Sequence, residues 1–211
     1  MNGTAIITGG SRGLGKELVD LFLKDDWKVS TFSRSWPQDI EFIEPSFLGL
    51  KADIRFEADV ERVILETKRL LGNPRVLVLN AGWVSRATKV IDENINNLRE
   101  DVEVNLISNT FMAQELMRKC NPEAVVHITS DVVKSPYPGW AFYGTSKRAM
   151  DYIMETLKLE NHEVKFLSID PGDMNTAMHM TADPEADPAG LADPAVAALK
   201  VFNRIKEEAR R

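Results

Sequence analysis

The chain has 211 residues, 44% of them hydrophobic and 27% charged, and a formal net charge of -6. That length suits one domain with a full-sized core, and the acidic balance argues against a nucleic-acid or anionic-membrane binder. A single cysteine, Cys120, excludes an intrachain disulfide, and three widely separated histidines (His127, His162, His179) give no metal-ligand spacing.

The first apolar run is too short and too uncharged at its start for a secretory signal, and no run reaches membrane-spanning length. A cytoplasmic protein with no membrane or nucleic-acid partner is the expectation.

Thr4–Thr8 is a short apolar run, read as a buried strand. It stops at a glycine-rich turn, Gly9, Gly10, Ser11, Arg12, Gly13, Leu14, Gly15. An amphipathic helix follows, with Leu14, Leu18, Leu21 and Phe22 at helical spacing. Strand, glycine turn and helix form the context that a phosphate-binding loop needs. Glycines let the backbone approach a pyrophosphate, which sits on the helix N-terminus. The alternative is a plain tight connection.

Lys28–Phe32 reads as a second strand, ending at Ser33 and Arg34. Dinucleotide-binding folds place an acid near here for the ribose 2′-hydroxyl. An arginine and hydroxyls stand here instead and suit a 2′-phosphate, with Arg12 in reach of it. NADP(H) is therefore favoured over NAD(H). The alternative is that Arg34 is a solvated loop charge.

Residues 36–45 read as a proline-bounded connection and 46–52 as a third strand, followed by Asp53 and Ile54 at an edge suited to an adenine ring. Residues 57–71 are an amphipathic helix. Residues 75–79 are apolar apart from Arg75, as in a strand buried on both faces, and end at Asn80, Ala81 and Gly82.

A long helical pattern covers residues 95–119 with Asn105 in its middle, where asparagine is a poor helix former. It is either an exposed polar position or one that uses its amide. Residues 124–130 are a fifth strand ending in Ser130. A helix over 141–159 carries Tyr143 and Lys147 one turn apart on one face. A cation near a phenol favours the phenolate. Taken alone, such a pair occurs by chance in many helices. Residues 164–169 form a sixth strand, closed by Asp170, Pro171 and Gly172.

Residues 173–194 hold Ala-Asp-Pro three times and three methionines, and read as a mobile substrate loop with a short helical piece. Pro194 opens a final helix to about Glu208, and no seventh strand follows.

Alternating strands and helices argue an α/β, doubly wound parallel sheet, with ligands beyond the strand C-termini. Every residue singled out lies at that edge. The expectation is one Rossmann-type domain over residues 1–211 with strand order 3-2-1-4-5-6.

With Thr8-Gly9-x3-Gly13-x-Gly15, Asp53, Asn80-Ala81-Gly82, Asn105, Ser130, Tyr143-x3-Lys147 and Pro171-Gly172-x3-Thr176, the chain resembles the short-chain dehydrogenase/reductase family in its single-domain form. The likeness covers residues 4 to about 176. It implies that Tyr143 is general acid in carbonyl reduction and general base in alcohol oxidation. Lys147 would depress its pKa and hold the nicotinamide ribose. Ser130 would orient the substrate oxygen. Asn105 would use a main-chain kink to hold a water in a proton relay. Thr176 and the backbone at Pro171 and Gly172 would fix the carboxamide.

The implied substrate is a small carbonyl compound or alcohol. Trp83, Ser85, Asp131, Val132, Trp140, Met174 and Met178 are expected to line its site. A shortened C-terminus argues for a homodimer through the helices at 95–119 and 141–159. The competing reading is a non-catalytic NADP(H)-binding sensor or partner-binding module on the same fold.

Overall fold

The computed structural model describes residues 2–34 and 42–209. Six parallel strands form its centre: β1 (Gly3–Thr8), β2 (Trp27–Ser33), β4 (Phe47–Lys51), β5 (Pro74–Leu79), β6 (Ala124–Ile128) and β7 (Lys165–Ile169). Counting only these, the order is 3-2-1-4-5-6, as expected from the alternation. One short strand, β3 (Phe42–Glu44), pairs antiparallel with β4 and makes the sheet seven-stranded. It lies within the expected 36–45 connection, where a strand was not foreseen; residues 35–41 lie outside the described residues. Among the described residues no strand follows β7.

Strand alternation splits the core in two. Ile6 of β1 faces one layer with Leu77, Leu79, Val63, Ile64, Met112, Leu116 and Met150. That layer belongs to α2 (Glu57–Leu71), α4 (Asn109–Cys120) and α5 (Ala141–Glu160). Ala5 and Ile7 face the other layer, under α1 (Gly13–Lys24) and α7 (Pro194–Ala209). There the Phe22 ring meets Phe202 edge to face at 4.9 Å, which adds aromatic geometry to the area buried. A Lys206–Asp25 ion pair of 2.5 Å closes the rim of this pair of helices.

Helix ends follow local chemistry. α2 opens with Glu57 and Asp59, closes with Lys68 and Arg69, and stops at Gly72 with φ 97°, all favourable to its dipole and its end. α4 ends at Asn121 in the left-handed region, φ 49°. Pro194 is the first residue of α7, where its missing N–H costs nothing.

The long helical pattern around Asn105 is not one regular helix. α3 (Ile95–Val102) passes through a π-helical turn, Glu103–Ser108, into α4. That turn is the expected main-chain kink. Asn109 supports it, its side-chain amide donating to the carbonyls of Val104 (2.8 Å) and Ala81 (3.1 Å). The 173–194 segment holds α6 (Ala177–Ala182), a 3-10 turn at Pro188–Gly190, and a bridge between Met174 and Ala192.

Candidate active site

The first loop is built by close backbone approach. A Cβ on Gly15 would lie 2.4 Å from the Gly9 carbonyl and 2.5 Å from the Asn80 amide nitrogen, so only glycine fits there. The side chain of Asn80 donates to the Thr8 carbonyl at 2.8 Å. The buried Thr8 hydroxyl accepts from the backbone N–H groups of Asn80 (2.9 Å) and Ala81 (2.7 Å). One hydroxyl thus ties the ends of β1 and β5 together. Gly13 sits under Thr176, whose methyl would be 3.4 Å from an added Cβ. Met178 reaches over Gly82 in the same way. The glycine turn, the Asn80–Gly82 loop and Thr176 therefore meet at one sheet edge.

The sequence around α1 leaves that edge ready for an anion. Arg12 stands at the N-cap without a side-chain cap, and no acid occupies the first turn. The first N–H groups of α1 are then free of side-chain partners, and the helix dipole favours negative charge. These residues fit a dinucleotide pyrophosphate.

At the next strand end, Ser11 and Ser33 hydroxyls bond at 2.9 Å, and Arg34 is exposed beside them. Asp53 is bound by Arg55 at 2.7 Å. Burial raises the Asp53 carboxyl, but the hydrogen bonds and charge of Arg55, with Arg34 behind them, hold it below its usual range. Ile54 is buried beside it. Pro171 and Gly172 close β7, Gly172 in the left-handed region with φ 78°.

Tyr143 lines a small cleft together with Val84, Ser85, Glu93, Trp140 and Phe142. Its ring stacks edge to face on Trp140 at 5.9 Å. The Lys147 ammonium lies 5.7 Å from the centre of that ring. Lys147 is 3% exposed and donates to the Ile128 carbonyl at 2.8 Å. Burial lowers its pKa to about 8, against the carboxylates of Asp151 and Asp101, which favour its charge.

Without cofactor, the expected depression of Tyr143 does not occur. Burial comes first in raising the phenol above its ordinary value, followed by Asp101, Asp170, Asp131 and Asp173. Desolvation and four carboxylates outweigh one buried ammonium. The phenol is therefore protonated at neutral pH.

Ser130 caps the short 3-10 turn Asp131–Val133, and its hydroxyl donates to Asp131 at 3.1 Å. Tyr137 donates to the other Asp131 oxygen at 3.1 Å. Val132 packs over Gly144. Asn105 is fully buried and its side chain is saturated. Its oxygen accepts from the Trp83 N–H and its nitrogen donates to the Trp83 carbonyl, each at 2.8 Å. The same nitrogen reaches Asp101 and the Ser146 hydroxyl, each at 3.1 Å. Only its main chain is left for a relay.

Of the expected substrate-lining residues, Ser85 and Trp140 share the cleft with Tyr143. Trp83 is fixed by Asn105 and packs toward the core, and Met174 packs into the layer under α1 and α7. Sequence reasoning missed Thr8 as a tie, Asn109 as a brace, and the buried carboxyl of Asp101. Asp101 was detectable: it stands three residues after Leu98 and four before Asn105, on one helical face.

The family model described as short chain dehydrogenase matches residues 3–187. The benzil reductase ((S)-benzoin forming) of Bacillus subtilis is 27% identical over 82% of this chain and 75% of that protein. Carbonyl reductase [NADPH] 2 of Sus scrofa is 28% identical over 86% and 76%. An alcohol dehydrogenase from the archaeon Thermococcus sibiricus, complexed with 5-hydroxy-NADP, superimposes with a TM-score of 0.82 at 22% identity. It covers 96% of this chain and 90% of its own.

Proposed function

The chain belongs to the short-chain dehydrogenase family of oxidoreductases, and from that premise we propose that it is an NADP(H)-dependent carbonyl reductase with Tyr143 as its proton donor. The observation that carries this reading is Tyr143 at the wall of a cleft, with the buried Lys147 ammonium 5.7 Å from its ring. When bound, the nicotinamide supplies the hydride. Charge then develops on the substrate oxygen, which the protonated Tyr143 neutralises while the Ser130 hydroxyl orients it. Ser130 first turns from Asp131 to the substrate. A phenol raised by burial favours reduction over oxidation, because oxidation needs the phenolate.

Arg12, Ser11, Ser33 and Arg34 would hold the 2′-phosphate, and the side chains of Arg34 and Arg12 enter no hydrogen bond among the described residues. Gly9, Gly13, Leu14 and Gly15 would carry the pyrophosphate. Asp53 and Ile54 would border the adenine. Asn80, Ala81, Gly82, Lys147, Pro171, Gly172 and Thr176 would line the nicotinamide riboside. The NADPH in the name of the pig relative supports this preference.

Trp140 and Phe142 bring two aromatic rings to a cleft that also holds Ser85, Thr88 and Glu93, and the name of the Bacillus subtilis relative points to an aromatic ketone. A homodimer would form on the face where Ile107 (51%), Tyr152 (72%) and Leu159 (75%) are exposed. Among the described residues no helix is long and apolar enough to cross a membrane.

The test follows NADPH absorbance with benzil, aromatic ketones, aldehydes and quinones, for the native protein and Tyr143→Phe. Oxidation by the native protein that Tyr143→Phe abolishes supports the reading. Activity unaffected by Tyr143→Phe removes it. Tight NADPH binding with no oxidation across the panel favours a cofactor sensor.

A further inference from the structure

Asp101 is a carboxylic acid with no exposure, placed in α3 one turn before Asn105. One oxygen accepts from the Asn105 amide at 3.1 Å; the other is buried without a hydrogen-bond partner. A buried carboxylate oxygen left unpaired costs on the order of 1–3 kcal/mol or more. A purely structural acid would have both oxygens paired, or the position would be apolar.

The Asn105 nitrogen shares its two protons among the Trp83 carbonyl, Asp101 and the Ser146 hydroxyl, 3.1 Å away, and that hydroxyl in turn donates to the Tyr143 carbonyl at 2.8 Å. The chain from Asp101 thus ends on the backbone of the proton donor.

We propose that Asp101 is a positioning residue for the Tyr143–Lys147 pair, a buried carboxyl that holds Asn105 and whose charge opposes the Tyr143 phenolate. The inference rests on the reading of Tyr143 as acid and base.

The groups that face Asp101 are few. Glu93, from the segment before α3, disfavours its charge. Asn105 of the π-helical turn and Lys147 of α5 favour it. Burial comes first, and the balance places Asp101 at about 7. Asp101 is in turn the leading charge that raises Tyr143, and it helps Asp151 keep Lys147 protonated. Below about pH 7 Asp101 is neutral and the phenol ionises more easily. Above it the carboxylate holds the proton on Tyr143 and so keeps the general acid loaded where reduction needs it.

The decisive measurement is a carbon-13 carboxyl titration of the native, cofactor-free protein between about pH 5 and pH 9, with Asp101 assigned through its backbone. A midpoint near 7 that moves upward in Lys147→Met is expected. A midpoint in the ordinary carboxylate range overturns the inference. No substrate or Asp101 variant is needed, so the result stands whether or not Asp101→Asn folds and benzoin is turned over.

The second measurement is the pH profile of benzoin oxidation with NADP+. Asp101→Asn is expected to move the rising limb to lower pH by about 0.5 to 1 unit. Asp101→Leu, which also releases Asn105, adds a loss of rate at every pH. Lower rates in both variants with an unmoved limb mean a structural role only and overturn the inference. Benzoin oxidation that survives Tyr143→Phe refutes the Tyr143 reading instead, and leaves the carboxyl titration as it was found.

Discussion

Lys147 donates its ammonium to the main-chain carbonyl of Ile128 across 2.8 Å, so the last residue of β6 sets the height of the lysine beneath the Tyr143 ring. The residues on either side of Ile128 bind the other side chain of the same helix face. His127 Nδ1 lies 2.9 Å from Asp151, and the Thr129 hydroxyl donates to Asp151 at 2.7 Å. Asp151 is one turn beyond Lys147. Strand β6 therefore grips α5 at two successive turns, once by backbone and once by side chains.

Lys147→Met should lower NADPH-dependent reduction by about 10²-fold or more. Lys147→Arg should not restore it, because a planar guanidinium does not fit the 3% exposed site of a compact ammonium. Initial rates with each variant at saturating NADPH check this. Arginine restoring near-native rates would show that charge alone suffices.

Arg34→Asp should weaken NADPH binding by about 10-fold to 100-fold without weakening NADH binding, since a 2′-phosphate loses a charge-assisted partner and meets a new acid that a ribose 2′-hydroxyl can use. Quenching of nucleotide fluorescence in parallel titrations measures both affinities. An unaltered preference would move the recognition elsewhere, with Arg12 the next residue to replace.

His127 is 0% exposed, and burial, against its bond to Asp151, lowers its pKa to about 4. Its short contact with Asp151 places the proton on Nδ1 and leaves Nε2 neutral. The folded pKa is below the unfolded value, so the unfolded state binds the proton first as pH falls. Stability is full above about pH 6.5 and declines toward pH 4, by roughly 3 kcal/mol from this residue. His127→Gln should flatten that decline in urea unfolding curves. Equal slopes for native and variant would show that the histidine charges without cost.

Ile107→Asp should convert a dimer to a monomer, because it places a carboxylate among the exposed apolar residues of the π-helical turn and α5. Light scattering on both proteins checks it. A stable native tetramer would refute the proposed assembly.

The sequence by itself determined the strand–helix alternation, and hence the sheet order, because fully apolar runs such as Val76–Leu79 fit only strands covered on both faces. It also located the edge where the glycine turn, Asn80 and Thr176 meet, since topology places the strand C-termini there. Period-based reading missed β3, a three-residue edge strand too short to show an alternation. It read 95–119 as one helical pattern, because a π-helical turn leaves the apolar spacing nearly intact while opening the backbone at Asn105. Charge states needed the tertiary structure. Whether a phenol is raised or lowered depends on which carboxylates and how much water surround it, and Asp101, Asp131 and the Asp170/Asp173 pair converge on Tyr143 from three separate parts of the chain. Spacing alone linked Tyr143 to Lys147; only folding brought the acids that keep its proton in place.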